Sequence, residues 1–214
     1  MPKSTPFGFE NMVTFYDRAT NYLAVYYTKT HLNEEMRACF LQFEADHKDS
    51  LKRGHVETWH CDNHGEFQSN DMDAFLREMG VKQTFIVPWN PQQNPSERAN
   101  GIVLRPLRIL LAAANVSVRV WPFAVNQIQA VHNALANRGE NVILPHRSAY
   151  EMRTGSLPDL SKFRVMFCRM EAVIRAERDL TAIGKLAPRT VTCVHLGVDT
   201  RRSGYFGYCL QPRQ

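Results

Sequence analysis

The chain has 214 residues, of which 44% are hydrophobic and 22% are charged, and its formal net charge is +5. This length is sufficient for one substantial hydrophobic core, or for one core with a small additional module. No apolar run approaches the ~18 residues of a membrane span, and the amino-terminal stretch lacks the apolar region of a signal peptide. The excess of basic residues is compatible with a nucleic-acid partner without requiring one.

The five cysteines are odd in number and include no close CxxC pair. This usage predicts a reducing compartment, in which thiols serve as small buried hydrophobic side chains and not as a disulfide framework. His60, Cys61 and His64 have a spacing that invites a zinc interpretation. No second ligand pair follows at a suitable spacing, so that interpretation is disfavoured. Motifs for a serine nucleophile and for a glycine-rich phosphate loop are both missing from the sequence.

Residues 11–48 predict a hairpin followed by a helix. Two β-branched and aromatic runs, MVTFYDR and NYLAVYYTK, flank the turn-rich ATN and are typical of paired strands. Thr30 is the predicted cap of the helix, which continues to about Lys48. Its apolar side chains recur at helical spacing: Leu32, Met36, Phe40 and Phe43.

Strand and helix alternate again between residues 56 and 87. VETWHC predicts a short buried strand that brings Asp62 to its carboxyl end. The next helix has an N-cap at Ser69 or Asn70, presents one apolar face and ends at Gly80. VKQTFIV predicts the strand that follows.

The proline-rich loop PWNPQQNPS leads into a helix that Glu97 opens, with Ser96 or Asn94 as its cap. Pro106 lies within this helix, so either the helix bends there or two helices meet. One side of the helix is apolar. At ~100° per residue, its polar face is formed by Glu97, Arg98, Arg105 and Arg108.

Trp121 opens a further helix with a continuous apolar stripe, and we expect this tryptophan in the core. RSAYEMRTG predicts a short helix that Gly155 ends. From Asp159 onward the chain consists of short β-prone runs: FRVMFC, MEAVIRA, TVTCVHLGV and GYFGYCL. This change predicts an α/β domain over residues 1–155 and a small β module over residues 156–214.

Asp62 at a strand end and Glu97 at a helix start are candidates for a shared Mg²⁺ site. Mg²⁺ prefers oxygen ligands and typically binds one or two carboxylates together with substrate phosphate. Two such ions can activate a nucleophile and stabilise the leaving oxygen in phosphoryl transfer. The alternative is a surface aspartate in a turn and a glutamate that favours a helix start, and the spacing alone favours this alternative.

The block HCDNHGEF…VPWNPQQNPSERAN resembles the integrase core of copia-type retrotransposons, in which DNGGEF is followed by PYTPQQNGVAERxN. The hairpin, the Trp121 helix and the segment LPHRSAYEMRTGSLPDLSKFRVMF are similar to the family as well. The tail HLGVDTRRSGYFGY resembles the Src-homology-3-like barrel that follows these cores. The resemblance covers nearly the whole chain. It implies an α/β fold with a ribonuclease H-like mixed sheet flanked by helices, followed by a small β-barrel-like module.

The resemblance also implies a polynucleotidyl transferase of the DDE type, which performs 3′-end processing and strand transfer of DNA with two Mg²⁺ or Mn²⁺ ions. Asp62 matches the second acid of the triad and Glu97 the third, so both are implied to be catalytic and metal-binding. Gln92, Gln93, Asn94, Arg98 and Asn100 match residues that flank the third acid in the family. Together with Arg105 and Arg108, which the polar helix face offers for phosphate contacts, they are the predicted DNA-binding residues. The implied partners are the ends of the element, target DNA and further copies of the chain, in a nuclear or cytoplasmic retroelement particle without a membrane anchor.

The sequence departs from the family pattern at the first acid, which lies on a strand that would precede Met1; Asp17 matches a non-catalytic acid. QQNPSER is one residue shorter than QQNGVAER, and His64 replaces a glycine. We therefore expect an integrase core that has no catalytic activity in the form of this 214-residue chain. The alternative is a catalytically dead nucleic-acid-binding remnant. A protein-interaction domain is a third interpretation, which the basic helix face disfavours.

Overall fold

The computed structural model of the chain describes residues 1–51, 54–61, 67–85, 95–135, 146–173, 189–199 and 204–209. Its strands are β1 (Asn11–Tyr16), β2 (Leu23–Thr28), β3 (Thr58–Cys61), β4 (Lys82–Phe85), β5 (Arg169–Val173), β6 (Thr190–Asp199) and β7 (Gly204–Cys209). Its longer helices are α1 (Asn33–His47), α2 (Asn70–Glu78), α3 (Pro95–Ala114), α4 (Trp121–Ala134) and α5 (Ala149–Thr154). Within these described ranges, no helix is both long and apolar enough to span a membrane.

β1 and β2 form the predicted hairpin. They pair antiparallel from Asn11 opposite Thr28 to Tyr16 opposite Leu23. Asn21 in the connecting turn has a φ of 60°, a left-handed conformation that asparagine tolerates better than most residues. The Tyr16 hydroxyl donates a hydrogen bond to Oδ1 of Asn21 at 2.7 Å, which closes the turn against the strand.

β3 and β4 form a parallel pair, with α2 as the connection between them. The register runs from Thr58 opposite Lys82 to Cys61 opposite Phe85. A crossover of this kind is what parallel strands require. The prediction that the strand before Asp62 is buried is right only for its end, because Thr58 is exposed and Cys61 is buried.

The first core lies between the hairpin, β3 and the helices α1 and α2. Phe15 of β1 stacks on Phe43 of α1, with ring centroids 4.7 Å apart, and on Trp59 of β3 at 6.1 Å. The other buried members of this core are Ala24 of β2, Val81 before β4 and several side chains of the two helices: Met36, Cys39, Phe40, Met72 and Leu76. The apolar spacing thus marks the buried face of α1, except at Leu32, which is 61% exposed.

The two helices of this core begin in different ways. α2 begins as predicted, with the Ser69 hydroxyl accepting a hydrogen bond from a backbone N–H of the first turn at 3.2 Å. The N-cap position of α1 is Leu32 and not the predicted Thr30. The Thr30 hydroxyl accepts from the Leu32 N–H at 3.3 Å and donates to the Glu35 carboxylate at 2.9 Å. Thr30 therefore supports the helix from two residues upstream, since leucine has no side-chain acceptor.

The second core packs α3 and α4 against the hairpin. Trp121 is 1% exposed and lies in this core as predicted. Its indole N–H donates to the carbonyl of Pro2 at 2.9 Å, which satisfies the one polar atom of the side chain. The buried members of the second core are Leu23, Val25, Ala99, Val103, Leu107, Trp121, Ala124 and Val125.

Amide side chains of α4 close the outer edge of β2. Asn133 is 4% exposed; it accepts from the Leu23 N–H at 2.9 Å and donates to the Leu23 carbonyl at 2.7 Å. Gln129 accepts from the Val25 N–H at 2.9 Å. A buried backbone group without a partner is costly, and an open strand edge can pair with another chain. The two side-chain amides therefore satisfy backbone groups of β2 that would otherwise need a neighbouring strand.

A buried arginine joins α5 to the hairpin and α1. The Arg153 side chain is 3% exposed, and Nη1 lies 3.7 Å from the Asp17 carboxylate. Its Nε donates to the Ser50 hydroxyl at 3.0 Å, and its guanidinium lies over the Tyr22 ring at 4.7 Å. Burial, and secondly the charge of Arg153, lower the pKa of His47 to about 4, so His47 is neutral near pH 7.

The carboxyl-terminal strands form an antiparallel sheet in the order β5, β6, β7. The prediction of a strand at FRVMFC is wrong, because the segment contains a turn in which Phe167 has a φ of 63°. The sheet packs on α4, where Phe206 lies 5.9 Å from Phe123 between ring centroids. The domain boundary near residue 155 stays a prediction, although Gly155 ends α5 as expected, with a φ of 73°.

Replacing Asn133 with alanine is expected to lower the free energy of unfolding by about 3 kcal/mol, because both backbone groups of Leu23 lose a partner while buried. Urea unfolding followed by circular dichroism measures this change. The control is Asn126→Ala, since Asn126 is exposed and accepts from Tyr27, whose hydroxyl also lies 3.0 Å from the Pro122 carbonyl. We expect the control to cost about 0.5 kcal/mol. Equal losses in the two variants would contradict the role of Asn133 at the strand edge.

Candidate nucleic-acid interface

α3 lies at the surface with its apolar side turned inward. Ala99, Val103 and Leu107 are buried in the second core. The side chains of Glu97, Arg98, Arg105 and Arg108 are exposed. At about 100° per residue, these four project within roughly 100° of one another, on the side of the helix opposite Val103. The predicted polar face is therefore the solvent face of α3, and we call Arg98, Arg105 and Arg108 the α3 arginine face.

Pro106 does not divide α3. The helix is continuous from Pro95 to Ala114, so the alternative of two helices meeting at Pro106 is wrong. Pro106 is exposed, so its ring lies on the solvent side of the helix. The α3 arginine face thus lies on one continuous helix, with Arg98 and Arg105 before Pro106 and Arg108 after it.

Gly101 lies in the middle of the α3 arginine face and was not singled out by sequence reasoning. A Cβ atom at Gly101 would lie 3.9 Å from Nε of Arg105, so the Arg105 side chain extends back over this glycine. The signal that could have identified Gly101 is its angular position, about 40° from Glu97 on the helix. The missing side chain leaves room for the Arg105 side chain to lie along the helix.

Arg98 lies close to the end of β1. Burial raises the pKa of Tyr16, and the positive charge of Arg98 acts in the opposite direction. The start of α3 lies against β1, because the Thr14 hydroxyl of this strand donates a hydrogen bond to Asn100 at 2.9 Å. The positive charge of α3 therefore begins beside the hairpin turn.

Asn100 is held by the fold. Its Oδ1 accepts a hydrogen bond from the hydroxyl of Thr14 in β1 at 2.9 Å, and the residue is half-buried. This bond joins α3 to the hairpin and helps to set the rotation of the helix about its axis. Asn100 thus positions the α3 arginine face, and its direct contact with DNA stays a prediction.

Of the predicted acids, the structure describes Glu97. It is exposed in the first turn of α3, where a carboxylate also stabilises the helix through the macrodipole. β3 ends at Cys61, the residue before Asp62 in the sequence. The remaining predicted site residues lie outside the described residues, and their roles stay predictions: Asp62, Gln92, Gln93 and Asn94.

Asp17, the acid matched to a non-catalytic position, is engaged within the fold. Its carboxylate accepts from the Ala19 N–H at 2.9 Å and from the Thr20 hydroxyl at 2.7 Å. The same carboxylate pairs with Arg153. These bonds give Asp17 a structural role in the hairpin turn.

The residues considered for zinc have partners of other kinds. Nδ1 of His60 lies 2.9 Å from the Thr84 hydroxyl on the neighbouring strand. Cys61 is 3% exposed, and its sulfur lies 3.6 Å from Nε2 of Gln83. Over the described parts of the chain, no three His, Cys, Asp or Glu side chains are grouped so that they could hold a metal ion. His64 lies outside those parts.

No protein-family model matches the chain. By sequence it is similar to the retrovirus-related Pol polyprotein from transposon TNT 1-94 of Nicotiana tabacum, with 27% identity over 201 residues. The matched region covers 92% of the chain and 14% of the polyprotein, so the chain spans a small part of that relative. The predicted resemblance to a retrotransposon Pol polyprotein is confirmed at the level of sequence similarity.

Among solved structures, the chain is similar to a protein chain in the structure of the simian T-cell lymphotropic virus intasome in complex with PP2A regulatory subunit B56 gamma. The TM-score is 0.56 at 13% identity, over 99% of this chain and 76% of that chain. The catalytic core domain of BIV integrase matches 67% of this chain and 85% of its own length, at a TM-score of 0.47 and 20% identity. The similarity to the intasome chain extends over the α/β part and the following sheet, and it confirms the predicted fold class.

Proposed function

We propose that the chain is an integrase-like core that binds DNA through the α3 arginine face. The relationship to a retrotransposon Pol polyprotein supports a nucleic-acid partner. The observation that carries the choice of surface is the exposure of Arg98, Arg105 and Arg108 on one side of a helix whose other side is buried. The net charge of +5 acts in the same direction.

The α3 arginine face suits a phosphate backbone. Arg98 and Arg108 are separated by about 15 Å along the helix axis at ~1.5 Å per residue. That length spans about four phosphates of one DNA strand. Arginine binds phosphate with a planar fork of donors. Such contacts position a duplex without reading its sequence, so we propose non-specific binding.

The proposal includes a divalent ion at Asp62 and Glu97. Carboxylate oxygens are ligands that suit Mg²⁺ or Mn²⁺, and Glu97 is exposed next to the α3 arginine face. When bound, such an ion would supply positive charge to the phosphate during phosphoryl transfer. We further propose that the reaction is 3′-end processing and strand transfer of DNA. We also propose that copies of the chain associate with one another on this substrate.

Binding without catalysis is the second candidate function, and the environment of Asp17 favours it for this chain. Because the Asp17 carboxylate is bonded within the hairpin turn and paired with Arg153, it does not serve as a third metal ligand. The proposed site would then have two carboxylates, Asp62 and Glu97, which together with substrate phosphate suit one Mg²⁺ ion, whereas phosphoryl transfer by the two-ion route needs a second ion. We expect the 214-residue chain to bind DNA without joining it.

The double variant Arg98→Ala with Arg105→Ala is expected to weaken binding of a labelled DNA duplex by at least about tenfold, because about two phosphate contacts are lost. The dependence of log affinity on log salt concentration should become shallower by about 2. Fluorescence anisotropy over a series of salt concentrations measures both quantities. Unchanged affinity and an unchanged salt slope would show that the assigned surface is wrong.

The control for that variant is Arg77→Ala with Arg147→Ala, which removes the same charge away from α3. In the fold these two arginines pair with Asp73 and Glu151, respectively. We expect the control to bind DNA within about twofold of the wild type, since long-range charge effects are screened by salt.

In the presence of Mg²⁺ or Mn²⁺, the wild-type chain is expected to leave labelled DNA neither nicked nor joined. A gel-based strand-transfer assay measures the products. Joining that depends on the metal and is lost in Asp62→Asn would contradict binding without catalysis. That result would leave the proposed DNA surface intact, because the two assays have separate readouts.

A further inference from the structure

Two cysteines face each other across the carboxyl-terminal sheet. β6 and β7 pair antiparallel with Cys193 directly opposite Cys209. The two sulfur atoms are 3.2 Å apart, and both residues are free thiols in the structure. The other cysteines are Cys39 in α1, Cys61 in β3 and Cys168 before β5. The proximity of Cys193 and Cys209 results from strand register and not from adjacency in sequence.

The packing around Cys193 keeps its sulfur beside β7. Cys193 is 1% exposed. Gly207 of β7 lies against it, and a Cβ atom at Gly207 would meet Cβ of Cys193 at 3.3 Å and Sδ of Met170 at 3.4 Å. Since those contacts are tight, the missing side chain at position 207 is what lets Cys193 lie under β7. Cys209, in contrast, is exposed to solvent.

The backbone geometry already suits a disulfide bond. Directly opposed residues of antiparallel strands have Cα atoms about 4.5 to 5.5 Å apart, within the range of about 4.4 to 6.8 Å found in disulfides. The sulfur atoms must approach from 3.2 Å to about 2.05 Å. Rotation about the side-chain bonds can supply a movement on the order of 1 Å without displacing the strands.

We propose that Cys193 and Cys209 form a reversible disulfide bond that fastens β7 to β6. The pair is a modification site in the carboxyl-terminal sheet, and it stands independently of the proposed DNA surface. Its co-reactant is a small disulfide such as glutathione disulfide, which exchanges with protein thiols.

The reaction proceeds by two thiol–disulfide exchanges. The exposed Cys209 loses its proton and attacks one sulfur of glutathione disulfide, which forms a mixed disulfide and releases one glutathione thiolate. Cys193 then loses its proton and attacks the Cys209 sulfur, which forms the S–S bond and releases the second glutathione. The protein gives up two electrons and two protons, and glutathione disulfide is reduced to two glutathione molecules.

The environment of Cys193 makes the second exchange dependent on pH. Burial, and secondly the hydrogen bond with Cys209, raise the pKa of the Cys193 thiol well above its usual value. A smaller fraction is therefore present as the reactive thiolate near neutral pH, and disulfide formation should accelerate as the pH rises.

The consequence of the bond lies in β7. Among the described strands, β7 is at the edge of the sheet and pairs with β6. It carries the partly exposed aromatic residues Tyr205, Phe206 and Tyr208, and Phe206 contacts Phe123 of α4. A covalent link at the end of an edge strand opposes its local separation from the sheet, so oxidation should hold these aromatic residues in place.

Incubation with glutathione disulfide, alkylation under denaturing conditions and intact-mass measurement test the proposal. The reduced chain has five alkylatable thiols, and the oxidised chain should carry two fewer adducts, with peptide mapping placing the link between Cys193 and Cys209. Reduction with dithiothreitol should restore both adducts. Retention of all five thiols, a lasting glutathione adduct on Cys209, or a link to another cysteine would overturn the proposal.

Matched variants separate this pair from general thiol oxidation. Cys168→Ser removes a half-exposed cysteine of the same region and should leave disulfide formation unchanged. Cys209→Ser should abolish the loss of adducts, and an unchanged loss in that variant would overturn the proposal. Hydrogen exchange on the wild type requires no variant. Amides of β7 should exchange at least about tenfold more slowly in the oxidised form than in the reduced form, and equal rates would refute the fastening of β7.

Discussion

The hydrogen bonds between α4 and the edge of β2 are the interaction on which the α/β core depends. Asn133 and Gln129 satisfy backbone groups that would otherwise be buried without partners, so α4 has one position along the strand. α3 packs on both the hairpin and α4, and the bond from Thr14 to Asn100 restricts its rotation. Once the apolar side of α3 is buried in this way, its arginines have only the solvent side available.

The fold uses arginine in two physically different ways. Arg153 is removed from water, and its cost of desolvation is offset by the Asp17 carboxylate, the Ser50 hydroxyl and the Tyr22 ring. Its role is to connect α5, α1 and the hairpin. The α3 arginine face remains hydrated, so its charges can exchange water and counterions for phosphate groups at little cost. A buried arginine therefore connects elements of the fold, whereas an exposed arginine is available to bind a ligand.

Elements with a strong local signal were predictable from sequence: the hairpin, the capped α2, the tryptophan of α4 and the glycine at the end of α5. Features that depend on distant partners were not. The burial of Arg153 depends on Asp17 and Tyr22, far away in the chain. FRVMFC has the composition of a strand, but Phe167 adopts a positive φ and turns the chain into β5. The pairing of Cys193 with Cys209 requires the register of β6 and β7, which contains an irregularity at His195 and Gly197. At the site, helical periodicity predicted the exposed face of α3. It could not predict the hydrogen bond from Thr14 to Asn100, because these two residues lie on different elements.

The similarity to a Pol polyprotein and the exposure of the α3 arginine face lead to one claim, which is that α3 is the DNA-binding surface. Arginine modification with phenylglyoxal, with and without excess DNA duplex, tests this claim at individual residues when the reacted sites are mapped by mass spectrometry. DNA should protect Arg98, Arg105 and Arg108, while the exposed Arg147 should react to the same extent in both samples. Equal modification of the α3 arginines with and without DNA, or equal protection of Arg147, would contradict the assignment of α3 as the DNA-binding surface.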